Sequence, residues 1–115
     1  MEVTSWDKIE LERLSDKIAR QMIYGEKVMA ARVHLAKGAV VPRHAHVNEQ
    51  LTMILSGALK LIFDDHEVVV SAGEMLLIPG NVPHAAVALE DTLDMDVFAP
   101  PREDWIRKDD AYLRR

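Results

Sequence analysis

The stretch VPRHAHVNEQLTMILSG, residues 41–57, concentrates the polar chemistry of the chain, and its two halves read differently. The second half, LTMILSG (51–57), is a run of strand-forming residues ended by Ser56–Gly57, the pattern of a strand entering a turn. The first half holds His44 and His46, with Gln50 four residues further on. If residues 43–47 are extended, the two-residue period sends both imidazoles to one side, where they can reach one ion at about 2.1 Å each. Such a pair also arises among solvated surface histidines, so alone it does not fix a role. His84 supplies a third candidate, directly after the turn signal Pro79–Gly80–Asn81–Val82–Pro83. Gln50 can add a neutral amide oxygen.

Working outward, most of the chain reads as short strands between turn signals. Residues 27–35 alternate with period two, placing Met29, Ala31, Val33 and Leu35 on one face and Arg32 and His34 on the other. Residues 58–65 and 67–73 flank a polar tip at Asp64–Asp65–His66 and predict a hairpin over 59–70. Further strands are predicted at 75–79, 84–89 and 93–99. Nothing between residues 36 and 99 is long enough to supply crossover helices, which excludes a parallel α/β sheet. An all-β antiparallel sandwich or barrel follows. IELERLSDKIARQMIYG (9–25) fits either an amphipathic helix or one or two strands. Pro100–Pro101 followed by REDWIRK predicts a brief C-terminal helical segment.

The chain has 115 residues, the size of one domain. With no cysteine it has neither disulfides nor thiolate ligands, which suits a reducing compartment. Its net charge of −5, with basic clusters only at Arg107–Lys108 and Arg114–Arg115, argues against a nucleic-acid partner. No apolar run is long enough for a membrane span, and the charged start MEVTSWDKIELERLSDK is unlike a signal peptide. The expectation is a cytoplasmic protein without a membrane partner.

With the three histidines in register, the chain resembles the cupins. The first cupin motif, G-x5-H-x-H-x3-4-E-x6-G, falls on Gly38, His44, His46, Gln50 (in the glutamate place) and Gly57. The second falls on Gly73, Pro79, Gly80 and His84, with Pro-Gly-x3-His for the strict P-x-G-x2-H and without the terminal Asn. The resemblance implies a single cupin domain over 1–115: a cupin-type antiparallel β-barrel (jelly roll) with its core at about 27–99 and a short C-terminal helical segment. It also implies one divalent transition metal ion (Ni, Mn, Zn, Fe or Co) on His44, His46, Gln50 and His84.

GEKVMAARVHLAKGAVVPRHAHVNEQ, GNVPHAA and DMDVFAPPREDW are similar to the KdgF-type cupins, which open 4,5-unsaturated uronates from pectin or alginate breakdown to linear keto sugars. That likeness implies catalytic roles for Asp96, Phe98 and Arg102, an anionic sugar substrate and a homodimer. Thr52–Met53 and Ser56 depart from those relatives at positions expected to line the cavity.

The residues read by themselves agree. Three neutral imidazoles and a neutral amide leave a divalent ion its full charge, which suits an anionic substrate. Arg102 offers a planar fork for a carboxylate, or pairs with Glu103 or Asp104. Asp96 lies on the face of Asp94 and Phe98, suited to proton transfer or to a charged rim. Phe98 is read equally as a wall for a sugar face and as core packing. Trp6 and Trp105 are read as packing anchors, His66 as a solvated turn residue and His34 as a structural or surface residue. Two rival functions remain open: a metal-dependent dioxygenase or lyase, and a sugar-binding cupin without turnover.

Overall fold

The structure, a computed structural model, describes residues 1–114 of the chain; Arg115 of the basic C-terminal pair lies outside them. Two antiparallel sheets face each other. The first takes β1 (Glu12–Arg13), β2 (Ile18–Tyr24), β3 (Met29–Leu35), β10 (Thr92–Ala99), β5 (Glu49–Ser56) and β8 (Met75–Ile78), in the order β1-β2-β3-β10-β5-β8. The second takes β4 (Val40–His44), β9 (His84–Ala88), β6 (Ala58–Ile62) and β7 (Glu67–Ser71), in the order β4-β9-β6-β7.

The expected closed barrel is corrected here. Among the described residues neither sheet closes on itself and no strand ladder joins one to the other, so β1, β8, β4 and β7 remain edges. The break is local and physical. After β7 the chain turns at Gly73, whose φ of 86° suits glycine, and β8 then pairs with β5 rather than continuing beside β7. β1, only two residues long, pairs with β2 alone among the described strands.

The period-two reading of β3 holds, with Met29, Ala31, Val33 and Leu35 buried against the opposite sheet. Ile54 and Phe98 from the first sheet and Leu59, Leu61, Val70, Ala86 and Ala88 from the second complete the core between them. The predicted hairpin is the β6–β7 pair. The ambiguous N-terminal region resolves into strands β1 and β2 preceded by a 3-10 turn at Trp6–Lys8. Gly57 carries the chain from β5 into β6. A Cβ there would run into the Asp91 carbonyl oxygen, and its φ is 87°.

The C-terminal helix is a single turn, α1 (Glu103–Ile106), followed by a 3-10 turn at Ala111–Leu113. This segment folds back over one end of the sheets. Arg20, 1% exposed, pairs with Asp110, 0% exposed, and with Glu12; Arg114 bridges Asp110 and Glu12. Trp105 is clamped between the guanidinium groups of Arg20 and Arg102, 4.7 and 4.6 Å from its ring centre. No helix among the described residues is long and apolar enough to cross a membrane.

Candidate metal centre

Three elements bring the histidines together. His44 ends β4, His84 opens β9 opposite it in register, and His46 lies just past β4 in the loop to β5. The extended pairing expected of residues 43–47 therefore covers His44 but not His46, which reaches the cluster through the bend that follows. The candidate ligand nitrogens of the three rings all lie within 4.8 Å of one another.

Each ring is held by a carbonyl near in sequence. Nδ1 lies 2.9 Å from the Pro42 oxygen in His44, 3.1 Å from the Asn48 oxygen in His46 and 2.8 Å from the Val82 oxygen in His84. A carbonyl oxygen only accepts, so the hydrogen-bonded form of each ring carries its proton on Nδ1 and leaves the Nε2 lone pair free. Fixing a ring through its second nitrogen is how proteins prepare imidazole for a metal. Burial, reinforced by the charge of Arg102, pushes His44 and His46 down to about 4 and lowers His84 as well. All three are neutral at neutral pH, as ligation requires.

Gln50, buried on the inner face of β5, sets its Oε1 3.0 Å from His46 Nε2. With the His46 proton on Nδ1, two acceptors face each other. With it on Nε2, the mismatch moves to Asn48. Protonating both nitrogens would satisfy both contacts, but burial opposes that charge. A cation on the Nε2 side removes the mismatch. Two ligands set at right angles, each about 2.1 Å from an ion, are themselves about 3 Å apart. The donor set thus fits a divalent transition metal through His44, His46, His84 and the Gln50 oxygen. The described histidine cluster is consistent with such a site and does not discriminate among first-row metals.

Behind the cluster lies a buried polar strip. Gln50 Nε2 donates to Thr52 Oγ1 at 2.8 Å, and Thr52 Oγ1 donates to Asp96 Oδ1 at 2.9 Å. Asp94 and Asp96 point inward from β10, as their alternation with Met95 and Val97 predicts. Burial raises both carboxyls, Asp94 well above the usual carboxylate range. Thr52 and Arg102 counter the rise at Asp96, so the proton of the pair belongs on Asp94, which donates to Asp96. Asp94 Oδ1 has no hydrogen-bond partner among the described residues.

Phe98 is buried in the core, and its ring meets His46 edge-on at 5.7 Å and Trp105 at 5.0 Å. Arg102 is fully buried, but its fork is already engaged. Nε and Nη2 donate to the Asp104 carboxylate at 2.9 and 2.8 Å, and Nη2 also donates to the Tyr112 hydroxyl at 2.7 Å. His34 contacts Gln21 at 3.2 Å and His66 sits by Asp65 on the exposed hairpin tip, both outside the cluster.

Sequence reasoning missed Tyr112 and Asn48. The Tyr112 ring stacks on His44 at 4.9 Å, while Asn48 ties the His46 loop to the Pro100 and Pro101 carbonyls. An Asn two residues after a candidate ligand is a faint signal; nothing near Tyr112 in sequence marks it.

Residues 31–99 match the Cupin domain family. The chain belongs to the cupins. Among solved structures, this cupin is similar to KdgF from Halomonas sp., at 29% identity and a TM-score of 0.80, over 86% of this chain and 94% of that one. It is likewise similar to an RmlC-like cupin from Shewanella frigidimarina, at 28% identity and a TM-score of 0.84, over 91% and 96% of the two chains. An oxalate decarboxylase from Bacillus subtilis shares the fold at 19% identity and a TM-score of 0.77, over 88% of this chain and 30% of that one. No curated protein sequence matches the chain.

Proposed function

We propose that this cupin is a metal-dependent, non-redox enzyme that opens 4,5-unsaturated uronates to linear keto-deoxyuronates. The observation that carries the reading is a neutral N3O donor set placed beside a buried acid. Three imidazoles locked through Nδ1 and the Gln50 oxygen leave an ion its full charge for an anionic substrate, and Asp96 lies within the same cavity. The likeness to KdgF, with Asp96, Phe98 and Arg102 on the D-x-F-x3-R pattern, supports the substrate class.

When bound, the cation supplies Lewis-acid stabilisation to the substrate carboxylate and to the oxygen that becomes enolate. Asp96 accepts the proton of the anomeric hydroxyl, the ring C–O bond breaks, and an aldehyde forms at one end. The bonding pair remains on the former ring oxygen as an enolate. Protonation of the far carbon of the enolate double bond then gives the ketone, and return of the proton that Asp96 took from the hydroxyl balances the reaction without a redox change. Phe98 forms an apolar wall. Arg102, its fork held by Asp104, contributes positive field rather than a bidentate clamp on substrate.

Tyr112 and Leu113 line the cavity, which encloses only about 50 Å³. A sugar needs more room, so this reading requires the Ala111–Leu113 turn to swing aside for substrate. The reading also includes a homodimer. Met53, Met75 and Met95 stand in register across the outer face of the six-stranded sheet, beside Leu51, Leu77 and Val97, and a twofold copy of that face is self-complementary. Light scattering is expected to give twice the 13.0 kDa chain mass; a monomer at all concentrations would remove the dimer.

The deciding test is turnover of unsaturated galacturonate and mannuronate monomers by metal-loaded wild type and Asp96→Asn. Wild type is expected to act on at least one, and the variant to lose about 10²–10⁴-fold in rate while still binding sugar. Sugar binding without turnover in wild type would make the protein a binding cupin. Oxygen consumption during turnover would assign it to dioxygenase chemistry.

A further inference from the structure

The strip Asp96–Thr52–Gln50–His46 contains a fixed order of donors and acceptors. Thr52 has one hydroxyl proton and gives it to Asp96 Oδ1 at 2.9 Å. Toward Gln50 its oxygen can therefore only accept, and the amide nitrogen of Gln50 faces it at 2.8 Å. The amide oxygen must then point the other way, to His46 Nε2 at 3.0 Å. Without a metal this is not the orientation Gln50 would choose locally. With the His46 proton engaged at Asn48, a flipped amide would donate to the Nε2 lone pair and satisfy His46, but it would set the amide oxygen against the Thr52 oxygen, whose proton is already given to Asp96. It would also place an N–H where a ligand oxygen is wanted and occupy a second ligand's lone pair.

We propose that Thr52 is a positioning residue that locks the Gln50 amide with its oxygen toward the three histidines. The inference rests on the metal reading of the cluster and deepens it. Thr52 is itself 1% exposed and flanked in its sheet by β10 and β8, so no water competes for its hydroxyl. Its polarity in the middle of a strand whose other inward residues are Gln50 and Ile54 has no packing purpose that Val would not serve. The hydroxyl distinguishes the two amide orientations at the contact nearest Gln50, and the Asp96 carboxylate behind it favours the same one.

Metal-free full-length protein is titrated with Co²⁺, following heat and visible absorption, with circular dichroism and thermal melting as controls for folding. Wild type is expected to bind. Thr52→Val is expected to bind about 10–100-fold more weakly with a changed visible spectrum. Thr52→Ser, which keeps the hydroxyl, is expected to restore wild-type affinity and spectrum. In a Gln50→Ala background, Thr52→Val is expected to have no further effect, because no amide remains to orient. Unchanged Co²⁺ affinity and spectrum in folded Thr52→Val would overturn the proposal, as would failure of Thr52→Ser to restore them. An equal loss in the Gln50→Ala background would do the same, by showing a general structural effect. Absence of Co²⁺ binding in wild type would instead sink the metal reading itself, and this inference with it.

Discussion

The histidine cluster and the C-terminal segment that lies over it are ordered by opposite means. Each histidine is fixed by a carbonyl two residues away in sequence, a contact the strand ends and turns deliver by themselves. The segment from α1 onward is fixed by partners from the other end of the chain: Arg20 on Asp110, and Glu12 on Arg114 across 102 residues. Local hydrogen bonds can aim a ring wherever the strands go. Long-range ion pairs exist only once the whole sheet has formed, and they decide what covers the cavity.

The largest expected effect breaks the long-range half. Asp110→Ala leaves the buried Arg20 paired with Glu12 alone, and is expected to destabilise the fold by about 3 kcal/mol, the low end for breaking a buried pair because one carboxylate remains. Chemical denaturation measures this, and a loss under 1 kcal/mol would show that the pair does not anchor the segment. Next comes the local half. His84→Ala is expected to weaken divalent-metal binding by at least about 100-fold, the upper range for changes outside the ligands. Its metal-free melting temperature should change far less than that of Asp110→Ala. Calorimetric titration and melting together would contradict the comparison if both variants lost stability equally.

The smallest effect concerns pH. His44 and His46 are held at about 4, so the folded protein keeps them neutral where an unfolded chain, near 6.5, takes up protons. These two rings therefore contribute stability that is fully present above pH 6.5 and is lost as pH falls toward 4. Proton competition for metal should be slight between pH 7 and 5.5 and steep only near pH 4. NMR titration of the imidazoles in metal-free protein checks this, and midpoints near 6.5 would show that burial does not protect the site.

How far the sequence could be read follows the same division. His44, His46 and His84 were legible because cupin motifs space them around turn residues whose chemistry is local. Asp96 and Phe98 were legible because β10 alternates. Arg102 was left between a fork for a carboxylate and a pair with Glu103 or Asp104, because the adjacent acids are equal candidates in sequence and only the turn of α1 selects Asp104. Tyr112 could not be found, since its stacking on His44 depends on Asp110 reaching Arg20. Barrel closure was overestimated for a related reason. Strand periodicity gives each strand its faces but says nothing about which edges meet, and β8 leaves β7 for β5.

What the amino-acid sequence determined by itself is the set of donors, the strands that carry them and the faces they occupy, because period-two alternation and turn chemistry act over a few residues. Tertiary structure decided which way the Gln50 amide faces, where the proton of the Asp94–Asp96 pair lies and what stands over the metal cavity. Each of these depends on groups that meet only across strands, where burial removes water and makes a single hydrogen-bond order the stable one.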